Sequence, residues 1–176
     1  MQKEENNFYS SQNQELPDAY QELTLIWREL CVLHTHLFEL TNQEYQYLLT
    51  SETDLLESNL IEKRNVVKMI NDFDQRRQDC VERVFALINP DTDLSPTFSI
   101  INRILMQNLK LEASHQLEKY NDYLVDIIEK IQMQNRKNRQ FLNRAMIMID
   151  DLKKDFQSSK KILSYNKKGN LQKHTR

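Results

Sequence analysis

From Leu23 onward, apolar residues return at alternating steps of three and four: Leu23, Ile26, Leu30, Leu33, Leu37 and Leu40. That spacing lines them along one face of an α-helix and predicts a coiled-coil-like seam. Trp27, Phe38, Tyr45, Tyr47 and Leu48 broaden it. Pro17 suits a first helical turn, and Asp18 and Glu22 favour the positive end of the helix dipole, so a first helix is predicted over 17–50. Ser51-Glu52-Thr53-Asp54 reads as a stop and restart, because short polar side chains cap the free N–H groups of a new helix. A second helix follows, with Leu56, Leu60, Val67, Ile70, Phe73, Cys80, Val84 and Leu87 as its expected inner face. Lys63 and Arg77 interrupt that face, and Asn89-Pro90-Asp91 ends the helix.

Ser95-Pro96 restarts the pattern, and no Pro or Gly follows until after Phe156. The later part of this stretch carries a seam at Leu117, Tyr120, Leu124, Ile127, Ile131, Gln134, Asn138, Phe141, Ala145, Met148 and Leu152. Only Gln134 and Asn138 break its apolar character, and a polar residue in such a seam can fix register. The pattern weakens over Asn108–His115, which predicts a break between a short helix and a long one. The expected fold is all-α: an elongated antiparallel bundle or coiled-coil hairpin of three long helices plus a short one. A disordered arm over 1–16, a helical bundle over 17–157 and a flexible basic tail over 158–176 complete the expected organisation.

Composition narrows the picture. One Gly and three Pro cannot supply the turns a sheet protein needs, and 39% apolar residues with a mean hydropathy of -0.72 suit narrow seams better than a thick core. No apolar run approaches the roughly 20 residues that span a bilayer, and the opening MQKEENNFYSSQNQ lacks an apolar signal region. Two lone cysteines, Cys31 and Cys80, form no disulfide framework and fit a reducing compartment, so a cytoplasmic location is expected. Charge is polarised within a net of -2: residues 153–176 hold eight Lys or Arg against Asp155, a net of +7, leaving -9 on residues 1–152. An acidic body with a basic arm results.

Little in the chain suggests chemistry. Glu112-Ala-Ser-His115 has the spacing of a di-iron bundle ligand pair, but such sites need a second copy that the sequence lacks. His34 and His36 fall about 200° apart on a helix, too far for one metal ion. There is no Gly-rich phosphate loop, nucleophile elbow or CxxC pair. Arg136, Lys137, Arg139 and Arg144 cluster, but a sequence pI of 6.1 does not mark a nucleic-acid-binding domain. The expectation is a protein that is not an enzyme and has no cofactor, metal, small-molecule substrate, nucleic-acid partner or membrane insertion. It should hold other proteins.

Two blocks carry a resemblance. The first is LTLIWRELCVLHTHLFELTNQEYQYLLTSETDLLESNLIEKRNVVKMINDF, with Glu44-x-x-x-Leu48, then Asp54-Leu55, then Glu62-Lys63. The second is Gln134-Asn135-x-x-Asn138 within a long helix, followed by Leu163-Ser-Tyr165-Asn166-Lys-Lys-Gly169. In this order, over roughly residues 20–170, they resemble the FlgN-like flagellar export chaperones. The chain departs from the family pattern at Asn166, where the family has a small residue, and in its longer N-terminal arm. The resemblance implies a cytosolic chaperone of type III flagellar export. Its partners would be unassembled hook-associated (hook–filament junction) proteins, whose amphipathic ends it would cover, and the cytoplasmic domain of the export-gate membrane protein. The gripping element would be the last helix, through Phe141, Leu142, Ala145, Met146, Ile147, Met148, Ile149 and Leu152. The gate-docking element would be Tyr165 with Asn166 and Gly169, and Gln134 and Asn138 would set register. The alternative is a non-enzymatic coiled-coil scaffold or adaptor with constitutive partners.

Overall fold

In the computed structural model, the backbone is described for residues 2–88, 111–159, 164–165 and 171–172, and side chains for 15–86 and 115–157. The described elements are α1 (Gln2–Thr50), α2 (Thr53–Ile88), α3 (Leu111–Ser159) and the two-residue strands β1 (Ser164–Tyr165) and β2 (Leu171–Gln172). Apart from that one short ladder they are helical. They divide between two compact units, Met1–Gln134 and Asn135–Arg176.

Within Met1–Gln134, α1 and α2 form an antiparallel hairpin. Pairs across it run in opposite senses: Cys80 Sγ–H donates to the Ala19 carbonyl at 3.5 Å, Arg83 meets Glu22 at 2.8 Å, and Lys63 meets Glu44. The first part of α3 packs on this hairpin in the same direction as α1. Cys31 Sγ–H donates to the Tyr120 carbonyl at 3.5 Å, and one turn on, the Thr35 and Tyr123 hydroxyls share a hydrogen bond at 2.8 Å. One core joins all three: Leu23, Ile26, Trp27 and Leu30 of α1, Val66, Cys80 and Val84 of α2, and Leu117, Leu124, Ile127 and Ile131 of α3. Each fully buried Leu or Ile contributes about 1.5–3 kcal/mol.

The α1 seam is buried at every expected position from Leu23 to Leu40. The α2 seam differs. Leu60 and Val67 are each 40% exposed, while Asn59 and Val66 are buried in their place. Steps of three and four from Leu56 land on Asn59, Lys63, Val66, Ile70, Phe73, Arg77, Cys80 and Val84, so the register set by Cys80 and Val84 puts polar residues inside. Each has a partner. Asn59 Nδ2 donates to Gln43 Oε1 at 3.2 Å, and Lys63 pairs with Glu44. Arg77 bonds Asp74 at 2.7 Å and lies over the Trp27 ring, 5.4 Å from its centroid. Burial would raise the Asp74 pKa, but the hydrogen bonds from Arg77 and Gln78 outweigh it and hold the carboxyl below its ordinary range.

The corner between α1 and α2 depends on Ser51, which adopts φ 58°. The Glu52 N–H then donates back to the Tyr47 carbonyl at 3.1 Å, closing the end of α1 in the manner of a Schellman cap. The Glu52 carbonyl accepts from Leu56 N–H at 3.0 Å and opens α2, with Asp54 in its first turn. The restart signal falls where expected, and backbone bonds close it.

Helix α1 begins at Gln2, not at Pro17, which lies inside it. The polar run ahead of the proline contains no helix breaker, so helix extends through it. Pro17 leaves the Asn13 carbonyl without its helical N–H partner. Helix α3 begins at Leu111, within the stretch expected to hold a break, and runs to Ser159. The expected short helix after Pro96, with Pro90 and Ser95, lies outside the described residues.

Candidate protein-binding face

Along α3 the 3–4 periodicity continues while burial stops. Leu117, Leu124, Ile127, Ile131 and Asn138 are buried, and Gln134, Phe141 and Ala145 are half-buried. Beyond them Met148 is 67% and Leu152 55% exposed. Of the seam's polar positions, Asn138 is 1% exposed, so the amide sits where a register-setting residue would.

Among the described residues of Asn135–Arg176, the exposed large apolar side chains are Leu142, Met146, Ile147, Met148, Ile149, Leu152 and Phe156. At about 100° per residue, Leu142, Ala145, Ile149, Leu152 and Phe156 share an arc of roughly 80° with Asn138. Phe141 and Met148 lie at one edge of this stripe and Met146 at the other. Ile147 falls on the opposite face of the helix and does not join it. From Leu142 to Phe156 the stripe is about 20 Å long. The stripe's exposed apolar side chains are gathered on one face of the helix. Phe156 lies outside the seam expected from sequence, which ends at Leu152, yet it continues the same three-and-four spacing.

The tail residues Tyr165, Asn166 and Gly169 fall differently. Ser164 and Tyr165 pair antiparallel with Gln172 and Leu171, which sets Tyr165 at the end of a tight chain reversal. Asn166 and Gly169 lie outside the described residues.

The residues that suggested metal or nucleophile chemistry are engaged elsewhere. His34 Nδ1 meets the Leu30 carbonyl at 2.7 Å, His36 Nε2 meets Glu62 at 3.1 Å, and His115 Nδ1 lies 3.7 Å from Glu118. The Glu112 side chain is outside the described residues. Among those described, no group of three His, Cys, Asp or Glu could hold a metal ion. Cys31 borders a groove of about 870 Å³ with Val32, Tyr120 and Tyr123. Burial pushes its thiol up to about 11, which leaves it protonated and a poor nucleophile near neutral pH. Among the described residues no helix is long and apolar enough to cross a membrane.

The chain thus combines a helical hairpin, a third helix whose seam outruns its core, and a basic tail with a short antiparallel ladder. The family model for the FlgN protein matches residues 19–173, from Ala19, the first buried residue among those described in α1, into the tail. The chain belongs to the FlgN family. FlgN proteins are flagellar export chaperones, so the family adds a protein client to a structure that presents an apolar face. No curated protein and no solved structure matches the chain.

Proposed function

We propose that this chain is a non-enzymatic cytoplasmic chaperone that covers the amphipathic ends of unassembled hook-associated proteins with the distal stripe of α3. It then hands them to the cytoplasmic domain of the export-gate membrane protein. The observation that carries the reading is the exposure of Leu142, Met148, Ile149, Leu152 and Phe156 in a helix whose earlier seam is buried. A client end that is helical only in the assembled filament would expose its own apolar face when free. A second apolar helix can shield it, as in helix-in-groove recognition. Met146 and Met148 suit such a surface because an unbranched thioether adapts to varied partners. Delivery to the gate is assigned to the tail around Tyr165, where an aromatic anchor fits transient docking. Pull-down from flagellated cells, with and without residues 141–176, tests the reading. Junction proteins should be captured by the full chain and lost on truncation, whereas a scaffold with constitutive partners would retain them.

A further inference from the structure

Leu60 and Val67 are apolar residues that the hairpin core leaves outside. They share one side of α2 with half-buried Ile70, and on α3 Val125 and Ile128 are exposed as well. His36 meets Glu62 and Thr35 meets Tyr123, so these parts of α2 and α3 flank the same stretch of α1. Between them lies a groove of about 410 Å³, with Trp27 and His34 of α1 on its floor and Ile70, Val125 and Ile128 on its walls. Leu60 and Val67 line a second hollow along α2, beside Glu44. From Leu60 to Ile70 the α2 wall measures about 15 Å, close to three helical turns.

The outer rims of this seam carry opposite charges. Arg64 and Lys68 lie about 40° and 80° round α2 from Leu60, and Glu129 and Asp122 about 40° and 60° round α3 from Val125. All four are exposed, and among the described residues none forms an ion pair. The opposite rims therefore stand near the same stretch of α1 without bridging. An apolar channel with one cationic and one anionic rim is the complement of an amphipathic helix whose two borders differ in charge. Residues 94–110 of this chain hold Arg103 and Lys110 but no acid, so they offer nothing to Arg64 and Lys68.

We propose that the seam between α2 and α3 docks one amphipathic helix of a second partner protein, its acidic border against Arg64 and Lys68 and its cationic border against Asp122 and Glu129. The seam lies in Met1–Gln134 and shares no residue with the stripe in Asn135–Arg176, so this partner and the client use different side chains. A contact three turns long is small and suits a transient partner.

Fluorescence titration of the full chain reads the seam, because Trp27 on its floor is the single tryptophan. The probe is a designed amphipathic peptide of about 14 residues, with glutamates along one border of its apolar face and lysines along the other. Two controls carry glutamate, or lysine, on both borders. The mixed peptide should shift the Trp27 emission and bind about tenfold more tightly than either control, less so at high salt. Arg64→Glu with Lys68→Glu makes both rims acidic and should transfer the preference to the all-lysine peptide. Val67→Asp and Val125→Asp, at exposed positions, should each weaken binding about tenfold or more with the melting temperature unchanged. Failure of the mixed peptide to bind, equal affinity for all three peptides, or indifference to both aspartates overturns the proposal. So does binding that appears only after Ile101→Asp with Ile104→Asp, which would place the chain's own residues in the seam. Self-association in sedimentation equilibrium that Val125→Asp abolishes would place a second copy there, with the same consequence. In flagellated cells Val125→Asp should reduce motility while isolated junction-protein ends still bind the purified variant; full motility, or lost client binding, overturns the second partner. If those ends do not bind even the wild type, the chaperone reading falls and the peptide titration still decides the seam.

Discussion

Two leucines on α3 give the sharpest test of where the core ends. Leu117 is 0% exposed and belongs to the cluster that joins α3 to the α1–α2 hairpin, whereas Leu152 is 55% exposed. Truncating each to Ala removes the same atoms from the same helix. At Leu117 the loss combines transfer free energy with a cavity among packed neighbours, a cost of about 2–5 kcal/mol. For a chain of this size each kcal/mol moves the melting temperature by about 2–4 °C, so Leu117→Ala should melt roughly 4–20 °C below the wild type. At Leu152 no comparable cavity forms, and the better helix propensity of Ala returns about 0.2 kcal/mol, so Leu152→Ala should stay within about 0.5 kcal/mol. Thermal and urea unfolding followed by circular dichroism read both variants. If Leu152→Ala costs as much as Leu117→Ala, the distal stripe is core and the reasoning from exposure is wrong. The client-binding reading would fall with it.

Three further outcomes follow from particular residues. Ser51 carries a side chain at φ 58°, where a left-handed conformation costs an L-residue about 1–2 kcal/mol, so Ser51→Gly should raise stability by about 0.5–1 kcal/mol after the extra chain entropy is counted; a lower melting temperature for this variant would refute that account of the corner. Burial raises the Cys31 thiol from its ordinary 9.0 to about 11 and the Cys80 thiol in the same direction. The unfolded chain therefore gives up those protons first, so this contribution to stability is full below pH 9 and lost as pH rises toward 11. Both thiols should react slowly with Ellman's reagent in the native protein and fast in guanidinium, and fast native labelling would contradict the burial. Tyr165→Ala should weaken binding to the export-gate domain in surface plasmon resonance while client binding survives; if both fall together, Tyr165 belongs to the client surface.

Much of this architecture was legible from spacing. The α1 seam from Leu23 to Leu40 needed only the three-and-four rule, since every position was apolar and every one is buried. The α2 seam was misread at Leu60 and Val67 because apolar character was followed instead of register. Once Cys80 and Val84 face α1, the spacing carries Asn59 and Lys63 inside, where Asn59 Nδ2 donates to Gln43 while its Oδ1 finds no partner among the described residues, and Lys63 pairs with Glu44. Such cross-helix partners are invisible to a reading of one helix alone. Pro17 in sequence looks like a helix start, but it lies inside α1, because a long helix can carry an interior proline. For the binding face, spacing gave the stripe but not its accessibility. Met148 and Leu152 continue a seam that is buried at Ile131 and could have been core on pattern alone. Ile147 joined the candidates by hydrophobicity, and helical phase separates it from them. The tail's chain reversal at Tyr165 rests on two paired residues, too short a signal to stand out in sequence.

The function proposed here stands or falls on whether the distal face of α3 grips an exported client. Calorimetric titration of the full chain with the isolated helical ends of a hook-associated protein tests it most directly, with Ile149→Asp and Leu25→Asp alongside the wild type. Both residues are 51% exposed, Ile149 in the stripe and Leu25 on α1. Ile149→Asp should weaken binding about a hundredfold with the melting temperature unchanged, because a carboxylate would have to lose its water against the client's apolar face. Leu25→Asp should bind as the wild type does. Normal binding by Ile149→Asp, or its loss in Leu25→Asp, would place the client elsewhere.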